Sequence, residues 1–586
     1  MKENTLKKLI FDLGAFFSCF AITLIFEITV RNPLTVVFFV LIFAELMRLE
    51  DRGAFESIGK KRLILVGIIS AMAGIIADLT IGRRLMLNFD SGIFKLLTLA
   101  ILFLGCSFLL FIGVVHFYSR CFSGRKTTRK TVINEDEKQN ALLNMTGPKL
   151  FAFSAILCFL CYLPYFLYEF PGIMTADSLV QYEQIIGVRP WSNHHPVVHT
   201  LLIKLFYTIG LGITGDAIAA ISFYTVFQMI LVSLSCAAVV CMVDKRKLLV
   251  LAFYALLPFN AVFAVTIWKD IPFACIATLL LCQVVRMTET DDKIRITDWI
   301  IFSILSIAFC LFRSNAWFAF IVWSVFVLIR FRKQWVKAAV AVLAVILCVS
   351  VIKGPVFDAF KVESPDFTES LSVPLQQVAA VLVNDRDIPD EDMKLIEDVI
   401  DTTYIHELYA PDFADNIKEL VRAGHPEVIE NNKGVYLGLW LRLLKRYPGD
   451  YIKAWFDLVG GYIYPDIPYK VGDMDGIMGN DLGLYWKPVI GGKAVVKAKE
   501  ILIKMSDFVP LYGMLWCIGA YSWMLMICFV HGIVRKKEIL GIGLLLLLTG
   551  TLLIASPVVD FRYAYAVIFS SPLWLSGTFK DVKNAT

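Results

Sequence analysis

Charge is what this sequence has least of for its length. Of its 586 residues only 18% are Asp, Glu, Lys or Arg, whereas 58% are hydrophobic and the mean hydropathy is +0.69. So little polar surface cannot cover a soluble core of this size, which leaves a polytopic membrane protein. Histidine is scarcer still, with seven residues. No Walker sequence, GxSxG elbow or Rossmann glycine pattern stands in a context that would support it, and HExxH does not occur. The net charge of +5 lies in short Lys and Arg clusters between apolar runs, so it reads as membrane topology, and no nucleic-acid partner is expected. Cysteine is absent from 353–507, and nearly all thirteen cysteines lie in or beside apolar segments. They read as free thiols that pack as small hydrophobes. Cys158 and Cys161 have CxxC spacing but no partner ligands, so no metal is assigned to them.

What the chain does have is a succession of apolar runs. Four spans are expected near 9–30, 33–47, 63–81 and 96–118, the first a retained anchor because it is long for a signal peptide and lacks a small-x-small cleavage site. Arg48, Arg52, Lys60, Lys61 and Arg62 follow the second span, and Arg120, Arg125, Lys126, Arg129 and Lys130 follow the fourth. Both connections, and the N-terminus, are therefore placed in the cytoplasm, with Arg83, Arg84 and Lys95 as exceptions outside. A fifth span, 149–169, delivers a polar loop to the external face. The next run, 197–213, is short, contains Lys204 and ends in glycines; as an interfacial helix on the outer surface it keeps Asp244, Lys245, Arg246 and Lys247 inside. Further spans are expected near 217–242, 248–267, 271–287, 299–312, 316–330 and 336–352, then near 508–531, 538–555 and 562–577.

The expected architecture is an all-α polytopic membrane protein with about 14 transmembrane helices. Its blocks are a four-span unit at 1–118, a basic cytoplasmic linker at 119–148, and a membrane core at 149–352 with an external loop at 170–216. A mixed, mostly helical extracytoplasmic domain at 353–507 and a three-span block at 508–586 complete it. The localisation that follows is the cell membrane, multi-pass, with any active site on the extracytoplasmic side.

In this topology the unusual polar groups at span ends all fall on the external side: Asp177, His194, His195, His199, Lys269, Asp270, Arg313, Asn315, Asp560, Arg562 and Tyr563. Charge in hydrocarbon is penalised by roughly 2.5–3.5 kcal/mol on insertion scales, so such residues must be hydrated, paired or used. Asp177 follows a Pro-Gly turn and suits a general base, although an ordinary interfacial loop would use it to cap a helix beginning at Ser178. Lys269 and Asp270 either bind an anionic head group or neutralise each other. Arg313 and Arg562, with Lys269 and the imidazoles, suit a phosphate or pyrophosphate. His194, His195 and His199 include an i, i+4 pair, but Pro196 interrupts a helix there, so they read as hydrogen-bonding groups for phosphate rather than metal ligands. The segment 472–481, GDMDGIMGND, resembles a calcium loop only loosely.

The early loop, with Asp177, then Asn193-His194-His195-Pro196 and a surface helix ending in glycines, resembles the first external loop of the GT-C glycosyltransferases. It is most similar to the protein O-mannosyltransferase and aminoarabinose-transferase branch, and Arg562-Tyr563 before the last span is similar to that branch's Arg-Tyr signature. SVPLQQVAAVL at 372–382, YIKAW at 451–455 and GYIYPD at 461–466 look like a family of bacterial multispanning proteins near that superfamily. The resemblance implies a GT-C-like helical bundle. It also implies inverting transfer of a sugar from a polyprenyl-phosphate carrier to a cell-envelope glycan, polymer or protein on the outer face. Asp177 would be the base, and a divalent cation is left open. The branch's acidic pair is here Asp177-Ser178, with Glu183 as a substitute for the second acid. His194, His195, His199, Lys269, Asp270, Arg313, Asn315, Arg562 and Tyr563 would bind the donor phosphate. Two other readings stay open: a transporter or flippase of a lipid-linked or anionic substrate, and another membrane-surface transferase, such as an acyltransferase or polymer ligase using His195.

Overall fold

A backbone passing through hydrocarbon finds no water, so its N–H and C=O groups must be satisfied within each segment, and the α-helix does this. The computed structural model describes residues 2–578 apart from 30, 123–144, 146, 245, 291–292, 473 and 510. Among the described residues there are helices, turns and isolated β-bridges but no strand. Most of the expected linker, 119–148, lies outside the described residues.

By length and composition eight helices can cross a membrane: Lys60–Asn88, Gly92–Ser119, Pro148–Tyr168, Val197–Thr214, Ala217–Met242, Asp270–Thr290, Arg332–Ala359 and Ile518–Arg535. A ninth candidate is the pair Lys247–Leu256 and Pro258–Val265, bent by 53°. Pro258 lacks an amide hydrogen and disfavours a helical residue before it, which explains the break after Leu256. This is fewer than the expected fourteen. Leu34–Asp51 carries Glu45, Arg48, Glu50 and Asp51, and Leu9–Ile25, Ile296–Phe312, Ser314–Arg330 and Leu540–Ala555 are apolar but shorter. The expected span at 562–577 divides into Phe561–Phe569 and Ser571–Thr578. Val197–Thr214, expected to lie on the surface, is long and apolar enough to span.

The chain divides into two compact units. One contains the described residues up to 122 together with 464–466 and 526–537. Its core is formed by Ala15, Leu46, Leu49, Ala54, Ile58, Ile112 and Val115. Lys2–Ile25 lies so close to Gly92–Phe122 that a Cβ on Gly105 would stand 2.3 Å from the Phe17 carbonyl oxygen.

The other unit contains the remaining described residues, so the segments expected as membrane core and external domain pack as one body. Within it the segment 353–507 has its own apolar core, including Val381, Ile396, Ile417, Val421, Leu443 and Tyr451. Among the described residues no disulfide is formed.

One stretch of this unit positions everything that follows. After Pro148–Tyr168 the chain runs extended between two others. The Ile173 amide donates to the Val265 carbonyl at 2.9 Å, and the Ile267 amide returns to the Ile173 carbonyl at 2.9 Å. On the other side the Met174 amide donates to Gly476 at 3.0 Å and the Met478 amide to Met174 at 2.9 Å. Gly172 admits this course: its φ is +143° and a Cβ would lie 2.5 Å from Thr225 Oγ1. Thr225 itself donates to the Pro171 carbonyl at 2.7 Å. Gly172→Ala should therefore destabilise the fold by about 1–3 kcal/mol, read as a lowered melting temperature with faster amide exchange at Ile173 and Ile267. An unchanged melt would mean that this crossing is not tightly held.

Candidate functional site

The helix Ala176–Ile186 starts where the extended stretch ends, with Thr175 as its N-cap residue. Asp177 is thus in the first turn and does not cap a helix at Ser178. Two contacts fix this turn to the segment before Asp270–Thr290: Trp268 Nε1 donates to Thr175 Oγ1 at 2.8 Å, and Ser178 Oγ donates to the Ile267 carbonyl at 2.6 Å. The Asp177 carboxylate faces the start of Phe561–Phe569, where Arg562 Nη1 donates to it at 2.9 Å. Asp560 caps that helix through the Arg562 amide at 2.9 Å, and its other oxygen lies 2.9 Å from Arg562 Nε. The Arg562 guanidinium lies over the Trp268 ring at 4.8 Å and the Tyr563 ring at 4.9 Å. A delocalised, weakly hydrated cation suits such stacking better than an ammonium.

The second half of the cluster comes from the ends of three more helices. Arg313, between Ile296–Phe312 and Ser314–Arg330, reaches Asp270 at 2.8 Å; their side chains are 11% and 1% exposed. Arg313 also donates to the Tyr563 carbonyl at 3.3 Å and stacks on the Tyr563 ring at 4.9 Å. Lys269 Nζ lies 3.1 Å from Nδ1 of the buried His195 and, among the described residues, has no carboxylate at ion-pair distance. His194 stacks edge-on against His195 at 4.7 Å and faces Glu369 of the segment 353–507 at 3.6 Å. Backbone bonds join the same two segments, with the Asn193 amide on Glu363 and the Glu363 amide on Trp191, each at 2.8 Å.

Electrostatics follow from this crowding. Burial disfavours the charged form of Asp177, but Lys269 and Arg562 outweigh it and hold the carboxyl well below the usual range. Burial and the adjacent Lys269 push His195 well below the ordinary histidine value, against the attraction of Asp177, so the ring is neutral at pH 7. Burial also lowers Lys269, with Asp177 and Asp270 opposing it. Beside the cluster lies a cavity of about 290 Å³ whose walls include Thr175, Trp268, Tyr469, Lys470, Met474 and Asp560. Aromatic faces next to a carboxylate and an ammonium make it suited to a small polar ring, though it is too small for a long lipid chain.

Of the sequence-derived candidates, Asp177, His195, Lys269, Asp270, Arg313, Arg562 and Tyr563 meet here, with His194 at the edge. Three do not. Glu183 pairs with Arg189 at 2.5 Å. His199 is wholly buried between Gln181 at 3.0 Å and Tyr224 at 2.6 Å, where it serves as a core hydrogen-bonding group. Asn315 donates to Thr551 at 2.8 Å. Trp268, Thr175 and Glu369 were not among the candidates. Trp268 could have been noticed as an aromatic residue directly before Lys269-Asp270; the other two carry no such signal. Among the described residues no three His, Cys, Asp or Glu side chains gather as metal ligands. The calcium-like segment 472–481 is only partly described; there, Asp475 pairs with Lys499.

These helices define an all-α, multi-pass membrane protein with a charged cluster at the ends of its apolar segments. The chain belongs to DUF6020, a family of unknown function whose match covers residues 190–585. His195, Lys269, Arg313 and Arg562 lie within that match and Asp177 lies just before it. No curated protein and no solved structure matches the chain.

The neutral His195 makes stability depend on pH. Its folded pKa is depressed, so its contribution is fully present above the unfolded value of about 6.5 and is lost as pH falls below it, by up to about 1.4 kcal/mol per pH unit. Depression of Asp177 acts only in the lower carboxylate range. The melting temperature should therefore fall from about pH 6.5 downward, and more steeply in the wild type than in His195→Gln. Parallel profiles would show that His195 takes up its proton freely in the folded state.

Proposed function

We propose that the protein is a membrane glycosyltransferase that moves a sugar from a polyprenyl-phosphate carrier to an acceptor at the outer face of the cell membrane, with inversion and with Asp177 as general base. The observation that carries this reading is the convergence of Asp177, Lys269 and Arg562 beside a ring-sized cavity. A polyprenyl phosphate keeps its chain in the bilayer and presents its phosphosugar at the interface, which calls for cations at helix ends. In this reading Lys269 and Arg562 take the phosphate, and Trp268 and Asp560, which line the cavity, face the sugar. In the transfer the acceptor oxygen attacks the anomeric carbon, the bond from that carbon to the phosphate oxygen breaks, and the acceptor proton passes to Asp177. The departing phosphate gains one negative charge, which fixed cations stabilise in a site of low dielectric. The acceptor belongs to the cell envelope, a glycan, polymer or protein, and the GT-C-like arrangement of the helices is part of the same proposal.

The test is transfer of label from radiolabelled polyprenyl-phosphate sugars by the purified protein in nanodiscs. Asp177→Asn keeps size and hydrogen bonding but removes the base, so transfer should fall by about 10²–10⁴-fold while donor binding persists. Equal transfer by the variant would remove Asp177 from the chemistry. Donor movement across the bilayer without transfer would favour a transporter.

A further inference from the structure

The first unit contains a cavity of its own, of about 230 Å³, formed wholly by its residues. Its apolar wall is made by Ile58, Leu65, Val66 and Val114, and Arg62 and Arg535 stand at it from two different helices. Arg62 donates to the Tyr118 hydroxyl and lies over that ring at 5.7 Å, which uses one of its five N–H donors and leaves the guanidinium cationic. Neither arginine has a carboxylate partner among the described residues, and no acidic side chain lines the cavity. Two cations brought together without a counter-charge repel each other and call for an anion.

Their position narrows the choice of anion. Arg62 lies near the start of the apolar helix Lys60–Asn88, Tyr118 near the end of Gly92–Ser119, and Arg535 at the end of Ile518–Arg535. Arginines at helix ends with an apolar wall beside them match the level where lipid head groups meet acyl chains. Lys60, Lys61 and Arg62, and Arg535, Lys536 and Lys537, are basic clusters of the kind that mark the cytoplasmic side, the side on which anionic lipids draw basic segments.

We propose that this cavity binds the head group of an anionic phospholipid of the inner leaflet, Arg62 and Arg535 holding the phosphate and the Leu65 and Val114 wall receiving the first part of the chains. A guanidinium fork binds phosphate oxygens in pairs, so two arginines can engage the phosphate from both sides. The site is distinct in composition from the Asp177 cluster and does not depend on the transferase reading.

The test is native mass spectrometry of the full chain, released from detergent after equilibration with phosphatidylglycerol or phosphatidylcholine. The wild type should retain phosphatidylglycerol at least about tenfold over phosphatidylcholine, and Arg62→Gln with Arg535→Gln should abolish that preference. Lys493→Gln with Lys497→Gln, the same charge change on an exposed helix, should leave it intact. Leu65→Trp keeps both cations but fills the cavity, and should also abolish it. Equal retention of the two lipids by the wild type, or a preference that survives either cavity variant, overturns the site. So does displacement of the lipid by millimolar inorganic phosphate, which would make the arginines a site for free anions. If the arginine variant fails to fold, Leu65→Trp decides alone.

Discussion

The contact on which the rest of the site depends is the ion pair between Asp177 and Arg562, two residues 385 positions apart in sequence. It joins the first turn of Ala176–Ile186 to the start of Phe561–Phe569. Arg562 also meets Asp560 and lies between the rings of Trp268 and Tyr563, so one guanidinium orders four side chains. The pair is part-buried, its side chains 14% and 30% exposed, so removing one partner leaves the other incompletely solvated, and the pair fixes geometry even where its net contribution to stability is small. The Arg313–Asp270 pair does the same from the far side of Tyr563. Lys269, Arg313 and Arg562 stand against Asp177, Asp270 and Asp560, with His195 neutral, so the enclosed cluster is balanced in charge.

Membership of this cluster was legible in the sequence to the extent that bilayer energetics made it so. Charges at the ends of apolar runs are penalised unless they are paired or used, whatever their separation along the chain, and that rule singled out Asp177, Lys269, Asp270, Arg313 and Arg562. The same rule could not supply the pairings, because partners hundreds of residues apart leave no local periodicity. Local spacing was also misleading in particular places. His195 and His199 have the i, i+4 interval, but the helix begins only at Val197, so His195 precedes it and His199 is buried between Gln181 and Tyr224. Glu183 is six residues beyond Asp177, and at about 3.6 residues per turn that places it well round the helix, toward Arg189. Trp268 is not distinguished by its sequence position, because an aromatic residue at a span end is an ordinary interfacial anchor.

The fold shows the same division. Helical, membrane-type structure follows directly from composition, since long apolar runs have no other way to satisfy their backbone. The number of crossings does not, because hydropathy measures how apolar a stretch is and not whether it remains one helix. The bend before Pro258 breaks a run of spanning length into two helices, the interruption at Ser570 leaves two short ones, and the four charges of Leu34–Asp51 make that helix more polar than a span. The segment 353–507 was recognisable as folded from its turns and helical signals. Its attachment to the site through Glu363 and Glu369 rests on contacts between distant segments.

Balance of charge also constrains what the cluster can do. A carboxylate held by Lys269 and Arg562 binds a proton weakly, and a base so stabilised is a poor acceptor for the proton of an acceptor hydroxyl. Under the transferase reading this is resolved by the donor itself. A phosphodiester entering beside Lys269 and Arg562 shares their positive charge, and each increment of that charge taken from Asp177 raises its proton affinity, by about 1.4 kcal/mol for each pKa unit recovered. As the bond to the sugar breaks, the phosphate becomes more negative and draws the two cations further, when Asp177 must receive its proton. Base strength would then depend on the presence of the donor, and the unliganded site, with its ion pair closed, would hold Asp177 as a structural anion.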